Sequence, residues 1–191
     1  MIKDSGIRRE FDTGAVRDIQ QGKGRCDLMP LDALALVCGC GEESHILEYI
    51  SNFQNDGMFI HLCGALEVFM ALHSWNFPTM CLEVSKHFEE GANKYGEHNW
   101  QKGIPVKCYI DSAVRHYLKW LRDDEDEPHD RAFVWNILCC IWTCRNKPEL
   151  NNYKNKTEQN DYKNNTEKCI VCGETVPEGW QVCKKCLENE V

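Results

Sequence analysis

From Leu31 onward apolar positions recur at helical spacing, and no period-two alternation competes with them between residues 28 and 145. Three prolines stand where helices begin, because the ring is tolerated in a first turn, where its missing N–H has no partner to lose. Pro78 precedes a helix over 79–95, Pro105 one over 106–122 and Pro128 one over 129–145. Two earlier apolar stretches predict further helices: Met58 to Trp75, and a weaker run from Leu31 to Tyr49 broken at Gly39 and Gly41. On the 79–95 helix Cys81, Val84, Phe88, Ala92 and Tyr95 gather on one face. Glu83, His87, Glu90 and Lys94 fall within about 60° of one another on a roughly opposed face. That face is either a solvated surface laced by i,i+4 pairs or a site.

The 106–122 helix buries a stripe of Val106, Ile110, Ala113, Val114, Tyr117, Leu118 and Leu121. Asp111 and Arg115 have the spacing of a surface ion pair, and His116 lies beside the stripe as a core histidine or a site residue. The 129–145 helix is apolar nearly all round, with His129 and Asn136 on one face. A buried amide is costly unless hydrogen-bonded, so Asn136 either completes a polar network or faces a ligand. These elements predict an all-α domain over residues 1–145. Its segment 8–27 lacks periodicity and is expected as an irregular but ordered arm. Residues 146–168 are polar and rich in Asn and Lys, which predicts a disordered linker.

Composition narrows the class. With 191 residues, 42% hydrophobic and 27% charged, there is room for one ordinary domain and a small appendage. No apolar run approaches the ~20 residues of a membrane span, and residues 1–10 lack a signal-peptide core, so a soluble cytoplasmic protein with no membrane partner is expected. Thirteen cysteines are an odd count, and several sit inside helical patterns, which fits reduced thiols that pack as small hydrophobes. A net charge of -8 argues against a general grip on nucleic acid.

Residues 169–191 carry the sharpest spacing in the chain: Cys169-x2-Cys172 and Cys183-x2-Cys186, ten residues apart, with Gly173, Pro177 and Gly179 between them. Four thiolates so spaced close a tetrahedral shell around structural Zn²⁺, and this short fragment would draw its folding free energy from the metal. A redox dithiol is the competing reading. Lys184 and Lys185 add local positive charge, so a protein or nucleic-acid contact through this zinc ribbon is expected.

Two more patterns point to phosphate and metal. Arg17, Lys23 and Arg25 lie within nine residues, the latter two alternating with Gly22 and Gly24, a pattern that suits an anion. In the acidic run before the last helix, Glu127 and Asp130 are spaced to share one divalent cation.

Five segments together resemble a known family. They are Phe11-Asp-Thr-Gly-Ala-Val-Arg-Asp18, Gly22-Lys-Gly-Arg-Cys-Asp-Leu-Met-Pro30, Gly91-Ala-Asn-Lys-Tyr-Gly-Glu-His-Asn-Trp-Gln-Lys-Gly-Ile-Pro105, Asp111-Ser-Ala-Val-Arg-His-Tyr-Leu-Lys-Trp120 and the stretch His129 to Asn136. They look like the phage-type dATP/dGTP diphosphohydrolase (MazZ-like) domain, a relative of the MazG-like all-α nucleotide pyrophosphohydrolases. The resemblance implies a MazG-like helical bundle and Mg²⁺-dependent cleavage of dGTP or dATP to the monophosphate and pyrophosphate. It implies host-cell cytoplasm if the chain is phage-encoded, and a homo-oligomer. Glu89 or Glu90, with Glu127 and Asp130, would hold Mg²⁺. Glu90 and His116 are the catalytic candidates, His116 as one acceptor of the water proton. Arg17, Lys23, Arg25 and Lys94 would bind phosphate, and Asn99, Trp100 and Asn136 the base or sugar. The wider group's Glu-x-x-Glu is here His87-x-x-Glu90 beside Glu89, and residues 32–80 stand as a helical insert. Two other classes compete: a zinc-ribbon nucleic-acid or transcription-associated binding protein, and a nucleotide sensor without turnover.

Overall fold

A computed structural model describes residues 6–18, 23–38, 41–153, 166–168, 172 and 175–177 of the chain. The chain divides into two compact units, Met1–Lys154 and Asn155–Val191.

The first unit opens with two short strands, β1 (Arg8–Glu10) and β2 (Val16–Asp18), paired antiparallel with Arg9 opposite Arg17. Gly14 makes the turn between them at φ +75°, a conformation without steric cost only for glycine. A 3-10 turn at Cys26–Leu28 leads into six helices: α1 (Leu31–Cys38), α2 (Glu42–Asp56), α3 (Ile60–Leu72), α4 (Phe77–Tyr95), α5 (Val106–Leu121) and α6 (His129–Asn146). The described part of this unit is thus all-α apart from one hairpin. The hairpin corrects the expectation of an irregular arm; strands of three residues carry no legible alternation.

The helix ends follow from local chemistry. Asn76 caps α4 by accepting the Thr79 N–H at 2.9 Å, and Pro78 occupies the first turn. Gly96, at φ +88°, ends α4 with its N–H on the Ala92 carbonyl, and α2 ends the same way at Gly57. Helix α5 starts directly after Pro105 and α6 directly after Pro128.

Helices α5 and α6 pack along each other, α2 packs on α1 and α3, and α4 lies on α6. Segment 32–80 is built into this core: Ile46, Leu47, Ile50, Phe53, Leu62, Ala65 and Phe69 are buried. Phe69 joins α3 to the rest, with its ring centroid 4.6 Å from Phe133, 4.9 Å from Trp120 and 6.4 Å from Tyr117. Such tilted and edge-on aromatic contacts add to simple area burial.

Residues 147–153 correct the expected linker boundary. A 3-10 turn at Pro148–Leu150 follows α6; buried Asn151 donates from Nδ2 to the Gly57 carbonyl at 3.0 Å, and Tyr153 meets Phe53 edge-on at 5.5 Å. Gly103 lies beneath this turn at φ +108°, where a Cβ would fall 2.7 Å from Leu150 Cδ1. Only glycine allows that approach.

In the second unit β3 (Thr166–Lys168) pairs antiparallel with β4 (Thr175–Pro177), and exposed Cys172 lies in the connection. Cys169, Cys183 and Cys186, with which Cys172 is expected to bind zinc, lie outside the described residues. No described helix is long and apolar enough to cross a membrane.

Because Phe69 is fully buried among rings from α5 and α6, Phe69→Ala should lower unfolding free energy by about 3–5 kcal/mol. Urea denaturation followed by circular dichroism checks this; a loss below about 1 kcal/mol would contradict the packing.

Candidate functional site

A cleft of about 880 Å³ opens between the N-terminal arm and helices α4, α5 and α6, large enough to enclose a nucleotide-sized ligand. One wall begins at Arg17 on β2. Its guanidinium donates from Nη1 to the Cys108 carbonyl (3.0 Å) and from Nη2 to Ser112 Oγ (3.1 Å) and Asn136 Oδ1 (2.9 Å). It lies over the rings of Tyr109 (5.3 Å) and Trp135 (6.0 Å), so it is held by dipoles and π faces. Asn136 also donates to the Ala132 carbonyl at 2.8 Å, which shows the buried amide completing a polar network. Asn99 is engaged on both edges, accepting from Val16 N and donating to Val16 O at 2.9 and 2.8 Å. Both amides therefore shape the arm's seat.

Asp18 gathers the arm's cations. Its carboxylate accepts from Lys94 Nζ at 2.9 Å and Arg8 Nη1 at 2.8 Å, with Lys23 Nζ at 4.0 Å. Burial pulls the Lys94 ammonium down, but the hydrogen bonds and charges of Asp18 and Tyr95 together outweigh it and hold the pKa above its ordinary value. For Lys23 burial prevails and lowers it, against the attraction of Asp18. Arg25 is turned to Asp27 in a two-bond fork at 2.6 and 2.5 Å. Asp111 and Arg115, expected on the surface, form a largely buried pair at 2.7 Å. Asp111 also accepts from Cys26 N, and Arg115 donates to the Lys23 and Gly24 carbonyls. The pair thus fastens the Gly/Lys/Arg segment onto α5.

At another corner His116 Nδ1, His129 Nδ1 and Glu127 Oε1 converge: 3.0 Å between the two nitrogens, and 3.6 and 3.8 Å from the nitrogens to the carboxylate. These atoms lie within 4.8 Å of one another, as donors to one ion must. His129 Nε2 meets Asp126 Oδ1 at 2.8 Å, which places the proton on Nε2 and turns the Nδ1 lone pair toward the group. Asp126 is itself held by Lys119 Nζ at 3.0 Å. Burial, with the positive field of His129 and Arg115, pushes His116 well below its ordinary pKa, so it presents a lone pair at neutral pH. The donor set therefore fits a divalent metal ion.

The far end of the cleft is aromatic. Phe88 on α4 meets Trp100 at 5.6 Å and Trp135 at 5.9 Å, and His87 meets Trp135 at 5.6 Å. His87, placed by helical angle on the polar face of α4, is only 6% exposed, because Trp135 of α6 packs there. Burial pushes its pKa down to about 4, with the charge of Arg131 acting in the same sense.

Of the residues expected from the sequence, the cleft brings together Arg17, Lys23, Glu89, Asn99, Trp100, His116, Glu127 and Asn136. Glu90, Lys94, Arg25 and Asp130 do not line it. Asp130 lies beside His73, with Oδ2 3.2 Å from Nε2, so Glu127 and Asp130 point to different partners. The sequence reading passed over Asp126 and the ligand role of His129. Their one-turn spacing, Asp126-x-x-His129, was the available signal.

Residues 65–153 match the family model described as dATP/dGTP diphosphohydrolase, N-terminal. No curated protein and no solved structure matches the chain. The matched stretch runs from within α3 to Tyr153 and carries the convergent His116, Glu127 and His129.

The displaced His87 pKa generates a stability prediction. Its folded value near 4 lies below the ordinary 6.5, so the unfolded chain binds the extra proton as pH falls between these values. Stability contributed by the neutral ring is complete above about pH 6.5 and is lost on descent toward pH 4, by roughly 3 kcal/mol from this group. His87→Phe should flatten that part of the profile of unfolding free energy against pH; an unchanged slope would contradict the burial.

Proposed function

We propose that this chain, whose residues 65–153 match the family model described as dATP/dGTP diphosphohydrolase, N-terminal, hydrolyses dGTP or dATP to the deoxynucleoside monophosphate and pyrophosphate, with Mg²⁺ as the activating ion. That match supports a nucleotide pyrophosphohydrolase enzyme. One observation supports the reading: of the metal-compatible group His116, Glu127 and His129, the first two line a nucleotide-sized cleft together with Lys23 and Arg115.

A divalent ion bound at that corner would neutralise triphosphate charge and lower the pKa of a water. The chain's own groups divide the remaining work. Lys23 and Arg115 line the cleft and would receive phosphate oxygens, while the Asp111 pairing keeps Arg115 oriented. Arg17 positions the wall. Glu89, rather than Glu90, is the α4 carboxylate on the cleft, and would take the proton from the attacking water as the bond to the α-phosphorus forms and pyrophosphate departs.

A second reading concerns the ion. Two imidazoles with one carboxylate suit Mn²⁺ or Zn²⁺ better than Mg²⁺, which prefers oxygen donors. The zinc ribbon at Cys169, Cys172, Cys183 and Cys186, and self-association, belong to the same proposal as accessory features.

Incubation with dGTP or dATP and either Mg²⁺ or Mn²⁺, with products separated by ion-exchange chromatography, should yield monophosphate and pyrophosphate. Release of intact tripolyphosphate and nucleoside would assign a different hydrolase. Glu127→Gln should lower kcat at least about a hundredfold with the fold intact; a rate near that of the native chain at saturating metal would remove the corner from the chemistry. A chain ending at residue 153, which keeps the Asn151 and Tyr153 contacts, should retain activity and lose stoichiometric zinc. Loss of activity in that folded product would place the ribbon in the active site.

A further inference from the structure

Ser112 lines the cleft from the middle of α5 and is half-buried. Its Oγ accepts from two guanidinium groups, Arg17 Nη2 at 3.1 Å and Arg115 Nη2 at 3.3 Å. A serine hydroxyl has two lone pairs and one proton, so these bonds use its whole capacity to accept and leave it one bond to donate. No described residue takes that bond. The usual acceptor for a helical serine is the carbonyl one turn back, here that of Cys108. That oxygen already receives Arg17 Nη1 at 3.0 Å in addition to its helical partner. The same contacts draw two cations onto one oxygen, and like charges so placed repel more strongly between protein walls than in open water. Asp111 offsets Arg115 at 2.7 Å, but no hydrogen-bond partner of Arg17 is a carboxylate. His116 follows Ser112 by one turn and lines the same cleft.

We propose that the Ser112 hydroxyl donates directly to a non-bridging phosphate oxygen of the substrate, with the Arg17 and Arg115 guanidinium groups flanking the same oxyanion. The inference rests on the nucleotide-hydrolase reading. A negatively charged oxygen answers each feature of the spot: it accepts the remaining proton, relieves the repulsion between the two cations, and belongs to a group long enough to reach an ion at the His116 corner. The rival role for Ser112 is that of a tether, which only accepts and so holds the arm to α5. The two roles differ in sign when the oxygen is removed. A lost tether frees two cations toward the anion, so stability falls while anion binding holds or tightens. A lost donor takes anion affinity with it.

The test measures binding without turnover. The full chain, with no divalent ion added, is titrated calorimetrically with tripolyphosphate, which carries the phosphate oxygens without base or sugar. The native sequence should bind it, and Ser112→Ala should bind at least about tenfold more weakly, the worth of one charge-assisted hydrogen bond. Ser112→Thr keeps the hydroxyl and should return to within a fewfold of the native affinity. Alanine is the best helix former, so α5 is not at risk in the first variant, and its thermal unfolding checks this. Undiminished affinity in Ser112→Ala, an equal loss in Ser112→Thr, or no binding to the native chain overturns the contact. Anion binding as expected without pyrophosphate release from dGTP would sink the catalytic reading alone; dGTP turnover at unchanged kcat/KM in Ser112→Ala would sink the Ser112 contact alone.

Discussion

The guanidinium of Arg17 is the constraint on which the described unit turns. It reaches from the second strand of the arm to the Cys108 carbonyl, Ser112 and Asn136, and so ties β2 to both α5 and α6. None of these partners is a carboxylate. A cation held by a carbonyl, a hydroxyl, an amide oxygen and two aromatic faces keeps its positive field, which a salt bridge would cancel. The cleft inherits that field on one wall. It also inherits rigidity, because Asn136 is locked by the same contact and by the Ala132 carbonyl.

Around this anchor, acidic side chains do positioning work. Asp18 accepts from Arg8 and Lys94, Asp27 forks onto Arg25, and Asp111 holds Arg115 while receiving the Cys26 N–H. Each of these bonds spans two separate segments or stiffens a turn. The basic arm suggested by composition is therefore largely an internal scaffold. Lys23 and Arg115 remain along the cleft.

The helices were legible because proline and the 3.6-residue period act locally. Pro105 and Pro128 mark the starts of α5 and α6, and the apolar stripe of α5 is buried through Tyr117. What escaped the sequence depends on partners far along the chain. The i,i+4 spacing of Asp111 and Arg115 looks like any exposed pair until the arm covers it. His87 shares a helical angle with glutamates, yet Trp135 buries it. Residues 147–153 have the composition of a linker, but Asn151 and Tyr153 find single specific seats on Gly57 and Phe53. The metal-compatible corner was half legible: His116 and Glu127 stood out singly, whereas their convergence with His129 needed the packing of α5 on α6.

The reach of Arg17 to Asn136 also has a consequence for the newborn chain. Their separation of 119 residues means the arm leaves the ribosome first, yet its seat is not complete until α6 has been made. At roughly 5–20 residues per second that interval is about 6–24 s. Through it Arg17 and its hairpin lack the α6 part of their seat, and completion of the cleft is deferred until translation of the first unit is nearly complete.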